Sequence, residues 1–162
     1  MIVFDLDGTL RDASHRIHLI SNGSRDWDAF YRACKDDAPI WHQINNLKHF
    51  VEMGENVMIW SGCSDIARLT TIDQLNAWGI VIGNDPISRA SEEPGDTIVD
   101  SLWMRSHGDY TPDDKLKLEW YEHYSVYGTH DPITMAFDDR DRMVRMWRSQ
   151  GVKCVQVAEG DF

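Results

Sequence analysis

The sequence predicts an α/β fold in three layers, a Rossmann-type parallel sheet with helices on both faces. Three observations predict it. Short apolar runs recur along the chain and end in polar residues, amphipathic helical spacing separates them, and glycines stand where those helices should stop. Such a strand–helix succession makes the sheet parallel and places ligand-binding groups at the strands' C-terminal edge.

Each element has its own warrant. Residues 2–5 carry Ile2-Val3-Phe4, β-branched and aromatic, and Asp5 cannot continue a buried run, so it marks the edge of the first strand. An insertion follows, Arg11 to about Pro39 (residues 11–39), longer than a simple connection and dense in His15, Arg16, His18, Arg25, Trp27, Phe30 and Tyr31. It reads as a small helical cap closing over the pocket. Residues 56–60 form the second strand, ending in Ser61-Gly62; residues 101–104, 133–137 and 153–157 read as three more. Helical periodicity covers residues 41–53, 64–78, 113–124 and 140–150, with Gly79 and Gly151 at helix C-terminal positions. Residues 88–97, rich in Ser, Glu and Pro, read as a solvated loop.

The chain has 162 residues, enough for one domain with a sizeable core, and the whole of 1–162 is expected to be a single domain. Cys34, Cys63 and Cys154 are odd in number and widely spaced, which indicates neither a disulfide framework nor a zinc cluster and suits a reducing, cytoplasmic compartment. No apolar stretch approaches the about 20 residues that span a membrane. A net charge of -11 argues against a general polyanion-binding surface but leaves room for a local one. No Gly-x-x-x-x-Gly-Lys-Ser/Thr loop occurs, so an ATP-dependent kinase site is not expected. His15 and His18 lack a nearby third metal ligand, and His107, His123 and His130 share no spacing and read as surface residues. Trp60 and Trp103 are expected to line the pocket, whereas Trp120 and Trp147 belong to helix cores.

Chemistry concentrates in Asp5-Leu6-Asp7-Gly8-Thr9. Two carboxylates at a strand edge, followed by a glycine turn that frees backbone amides, suit attack on a phosphate monoester. Asp5 is the candidate nucleophile and Asp7 the candidate general acid and base. Carboxylates this close repel an incoming phosphate unless a divalent cation sits among them, and an all-oxygen ligand set favours Mg²⁺. Ser61-Gly62 offers a hydroxyl and a turn to a phosphate oxygen, Lys115 and Lys117 are two candidate cations, and Asp138-Asp139 repeats the strand-then-carboxylate pattern.

This ordered set resembles the haloacid dehalogenase superfamily of phosphatases, whose signatures are Asp-x-Asp-Gly-Thr, a Ser or Thr after the second strand, a Lys, and a terminal acidic pair. The stretch Ala136-Phe137-Asp138-Asp139-Arg140 through Trp147, then Gly151 to the final Gly160-Asp161-Phe162, is similar to the end of the 3′-phosphatase domain family of phage polynucleotide kinase. Arg105, Gly108-Asp109-Tyr110, Asp113-Asp114 and Lys117 through Trp120 look like the run before that family's lysine. The resemblance implies a phosphoric monoester hydrolase of nucleic-acid end repair. Asp5 would be nucleophile and Asp7 acid/base; Ser61, Gly62, Lys117 and Arg105 would bind phosphate; Asp5, Asp7, Asp138 and Asp139 would hold Mg²⁺. Its substrate would be a nucleic-acid 3′ end or a nucleotide phosphate. Lys115 is the alternative to Lys117, and either of Asp138 and Asp139 is open as the direct metal ligand. Cys63 departs from the family pattern, which has an arginine there; Arg105, Arg11 or Arg16 are the candidates to compensate. The alternatives are a nucleotidase acting on deoxynucleoside monophosphates and a non-catalytic domain binding a nucleotide or protein.

Overall fold

In the computed structural model, which describes residues 1–21, 23–127 and 131–159, the strands fall in the order their apolar runs imply. The central sheet contains β1 (Ile2–Phe4), β4 (Val57–Ser64), β7 (Ser101–Arg105), β8 (Met135–Asp138) and β9 (Lys153–Gln156), ordered β7-β4-β1-β8-β9 and parallel throughout. A two-stranded antiparallel pair, β2 (Arg11–Asp12) with β3 (Ala38–Pro39), and a parallel pair, β5 (Ile80–Ile82) with β6 (Thr97–Val99), stand beside it.

The alternation of a strand's side chains sorts the core into two halves. Ile2, Phe4, Val57 and Ile59 face one side, where they meet Ile44 and Leu47 of α2 (Trp41–Glu52) and Ile72 and Leu75 of α3 (Arg68–Ala77). Val3, Met58 and Trp60 face the other, against Tyr124 of α5 (Asp113–Tyr127) and Met143, Val144 and Trp147 of α6 (Asp141–Ser149). Three layers result. Phe4 stacks on Phe137 with ring centroids 4.3 Å apart, which locks β1 to β8.

Several elements differ from expectation. β4 continues through Ser61-Gly62 to Ser64, with a register shift against β7 between Ser61 and Ser64, so the predicted turn is the irregular end of a strand. The 88–97 segment is only partly loop. Pro86–Arg89 forms a helical turn, α4, with Ser88 buried, and Thr97 begins β6. Trp60 is a core residue rather than a pocket residue. It is fully buried, stacked on Trp103 at 5.1 Å and flanked by Trp120 and Trp147, because even-numbered residues of β4 face the α5/α6 layer.

The insertion leaves and returns through β2 and β3, so its ends lie together. Between them run a 3₁₀ turn (Ser14–Leu19), α1 (Trp27–Arg32), capped by Asp26 accepting from the Ala29 amide at 3.0 Å, and a second 3₁₀ turn (Ala33–Asp36). His15 pairs with Asp37 at 2.7 Å, and His107 and His123 are exposed; His130 and the terminal Gly160-Asp161-Phe162 lie outside the described residues. No helix among the described residues is long and apolar enough to cross a membrane.

Candidate active site

The register of β1 with β8 builds the site. Phe4 pairs with Phe137, and the Asp5 amide donates to the Phe137 carbonyl at 2.9 Å, which carries Asp5 to the same edge as Asp138-Asp139. Immediately beyond, the amides of Leu10 and Arg11 bond the Leu6 carbonyl at 2.8 and 3.0 Å and fold the motif into a tight turn. Gly8 sits in that turn at φ +85°, and an added Cβ would run into the Asp139 carboxylate. The Asp-x-Asp-Gly spacing is thus also a packing requirement for Asp139.

Asp5, Asp138 and Asp139 are buried, and one oxygen of each lies within 4.8 Å of the others. Lys117 reaches into them from α5, its Nζ 2.5 Å from Asp5 Oδ1 and 3.0 Å from Asp138 Oδ2. Lys115 is exposed. Helical spacing separates the two lysines by about half a turn, so only one can face the sheet edge. Burial pushes the Asp5 carboxyl well above its ordinary range; Lys117 pulls it down, and Asp138 and Asp139 push it further up. Burial, then the neighbouring Asp138, raises Asp139 to about 6. Burial disfavours the charged form of Lys117, but Asp138 and Asp5 outweigh that and keep it an ammonium. Asp139 Oδ1 is buried without a hydrogen-bond partner among the described residues. Three carboxylates against one ammonium, all-oxygen donors and an unpaired buried oxygen fit a hard divalent cation.

The Asp7 carboxylate stands apart from that group. Arg11 Nε donates to its Oδ1 at 2.5 Å, and Arg16 Nη2 lies 3.0 Å from its Oδ2. Burial alone would raise its pKa, but Arg11 and Arg16 hold it below the usual range, so Asp7 is ionised. Both arginines also meet Asp37, and Arg11 Nη1 donates to Thr71 and Gln74 of α3. Sequence reading missed Asp37. Only the Asp12–Ala38 register of β2 with β3 brings it back to the motif, and no local spacing signals that.

Ser61 is fully buried at the end of β4, and its Oγ accepts from the Cys63 amide at 3.0 Å. Arg105, expected as a phosphate ligand, clamps the loop after β7 in this structure. Its Nε donates to the Gly62 carbonyl at 2.8 Å, its Nη1 to the Asp109 and Thr111 carbonyls at 3.3 and 2.6 Å, and its Nη2 to Asp113. Four of its five N–H donors are engaged in these contacts. Cys63 packs with Cys34 and Ala67, and burial pushes its thiol far up, so it is a neutral filler.

Across residues 1–162 the chain matches the family described as the polynucleotide kinase PNKP phosphatase domain. It belongs to that family. As a member of the PNKP phosphatase family it is a phosphatase domain of haloacid dehalogenase type, and hence a phosphoric monoester hydrolase. Solved structures agree. A chain of a Pnkp1/Rnl/Hen1 complex superposes with a TM-score of 0.71 at 26% identity, covering 99% of this chain and 46% of that one. A chain of the Pnkp1/Rnl/Hen1 RNA repair complex gives 0.67 at 24%, covering 99% and 43%. The class C acid phosphatase from Bacillus anthracis shares the fold at 0.60 and 18% identity, covering 99% and 66%. This PNKP-type domain therefore spans less than half the length of the first two chains it matches.

Proposed function

We propose that the domain removes 3′-phosphates from nucleic-acid ends through an aspartyl-phosphate on Asp5, with Mg²⁺ at Asp5, Asp138 and Asp139. The observation that carries this reading is Asp5 at the sheet edge, with the Lys117 ammonium 2.5 Å from one carboxylate oxygen and two further carboxylates beside it. Asp5 attacks phosphorus as the bond to the leaving 3′-oxygen breaks, and Asp7 gives that oxygen a proton. Water then attacks phosphorus, Asp7 takes its proton, and inorganic phosphate leaves with Asp5 restored. Arg11 and Arg16 hold Asp7 in the base form; a phosphate dianion alongside opposes them and raises its proton affinity for the first step. Lys117 keeps Asp5 oriented, and Ser61 and Gly62 receive phosphate oxygens. Bound Mg²⁺ supplies charge neutralisation between the carboxylates and the phosphoryl group. Three buried free cysteines suit a reducing cytoplasm.

A second reading, a nucleotidase for deoxynucleoside monophosphates, is favoured by Cys63, whose buried neutral thiol offers no cation to a neighbouring phosphate. The test is phosphate release from a short oligonucleotide bearing a 3′-phosphate and from nucleoside monophosphates, side by side, with Mg²⁺ and with chelator. Preference for the oligonucleotide is expected. Preference for monophosphates supports the second reading, and no release from either supports a binding domain. Asp5→Asn should abolish turnover while circular dichroism stays unchanged; surviving turnover would exclude the covalent route.

A further inference from the structure

We propose that Tyr110 and Arg142 form a nucleotide subsite beside the phosphate pocket, Tyr110 stacking on the terminal base and Arg142 donating to the phosphodiester next to it. The proposal rests on the end-directed reading above and names what would set an oligonucleotide apart from a mononucleotide. The segment 106–112 joins β7 to α5, and the residues flanking it both meet Gly62, the neighbour of Ser61. Arg105 Nε donates to the Gly62 carbonyl at 2.8 Å, and a Cβ at Gly62 would come within 2.7 Å of Asp113 Oδ1. The loop therefore forms the rim of the phosphate site.

That rim is pinned. Arg105 Nη1 binds the Asp109 and Thr111 carbonyls, one on each side of Tyr110, at 3.3 and 2.6 Å. The Thr111 amide donates to Asp109 Oδ1 and the His107 amide to Asp65 Oδ1, both at 2.8 Å. Tyr110 is nevertheless 75% exposed. An exposed aromatic is ordinary on a surface, but one carried on a clamped backbone has little backbone freedom left to lose when a base stacks on it.

Arg142 supplies the charge. Asp113 Oδ1 accepts from Arg105 and Oδ2 from Arg140, so the carboxylate is well occupied before Arg142 Nη2 approaches it at 3.4 Å. The Arg142 side chain is 40% exposed although its Nε is buried, and its Nη2 makes one long contact, to Asp113. It is held by that long contact two residues beyond Arg140, at the start of α6, and the exposed part of its guanidinium is open to a phosphate oxygen. A ring and a guanidinium at one rim match a base followed by a diester, the chemistry of a single-stranded end.

The test measures the dissociation constant of a short single-stranded oligonucleotide ending in a 3′-hydroxyl, alongside kcat/KM for the same strand with a 3′-phosphate relative to a small aryl phosphate. Tyr110→Ala should weaken binding roughly ten-fold and lower the kcat/KM ratio similarly, with Tyr110→Trp restoring both. Arg142→Gln should weaken binding and reduce the slope of log affinity against log salt by about 0.7. Tyr127→Ala, an exposed tyrosine at the far end of α5, should change neither. Wild-type affinity in both Tyr110→Ala and Arg142→Gln would overturn the subsite. Failure of the end-directed reading looks different: wild-type protein would hydrolyse the aryl phosphate and release nothing from the oligonucleotide.

Discussion

At Asp139 the charge imbalance of the site is concentrated. Its carboxylate is buried beside Asp138 and leaves one oxygen unpaired among the described residues, while the Lys117 ammonium bonds Asp5 and Asp138. Repulsion of this kind is tolerated in a fold because a cation relieves it, so the metal-free protein carries a stability deficit that metal binding removes. Asp139→Asn should therefore raise the metal-free melting temperature by a few degrees and shrink the rise that Mg²⁺ causes in the wild type. Thermal unfolding in chelator and in Mg²⁺ checks both halves, and a variant that melts lower in chelator would contradict the account. The residue types of this cluster were legible in the sequence as two strand-end acidic motifs and a lysine. Spacing alone left Lys115 and Lys117 open, because they differ only in the helix face they occupy; the family resemblance pointed to Lys117, and the packing of α5 on the sheet brings Lys117 to the carboxylates.

Among the elements, the five strands of the central sheet, whose apolar runs end in polar residues, and the long helices were legible, whereas the flanking strands β5 and β6 were not. Each has three residues, too few to show a period, and each becomes a strand by pairing with a segment distant in sequence. Asp85 holds this region together. Its Oδ1 accepts from the Ile87 and Ser88 amides at 3.0 and 3.2 Å, capping α4, while Oδ2 takes Arg68 Nη2 at 3.0 Å. Burial works against its charge, but Arg68 and the two amides leave its pKa below the ordinary carboxylate value. A carboxylate lowered in the folded state stabilises above its unfolded pKa of about 4 and loses that contribution as pH falls through the lower folded value. Asp85→Ala should cost about 1 kcal/mol or somewhat more at pH 7, from the lost cap and ion pair. The difference from wild type should narrow below about pH 4, as measured by urea unfolding across pH. A gap that stayed constant down to pH 2 would refute the electrostatic share.

For the molecule as a whole, the net charge of -11 describes the average surface and not the rim of the site, where Arg105, Arg140 and Arg142 gather on Asp113. The three cysteines report on the whole fold in another way. Cys34 and Cys63 share one small core cluster and Cys154 lies in another, all are buried, and burial raises each thiol's pKa, that of Cys154 to about 12. Alkylation at pH 8 should be slow for all three in the native protein and should accelerate together in denaturant, tracking global unfolding. Rapid labelling of Cys63 alone in native buffer would mean that its packing against Cys34 and Ala67 opens locally.

The sequence by itself determined the three-layer α/β architecture, the sheet edge that carries the chemistry, and the identity of the Asp5, Asp138 and Asp139 carboxylates, because strand pattern and motif spacing are local properties of the chain. Tertiary structure alone decided that Asp7 is clamped by Arg11 and Arg16, that Asp37 completes their pairing, that Arg105 clamps the rim, and that Trp60 is core. Most of these depend on a register or a packing face that joins residues far apart in the chain, as Arg16 to Asp37 and Arg105 to Gly62. One-residue differences in strand register reverse which side chains meet, and only the folded sheet selects among them.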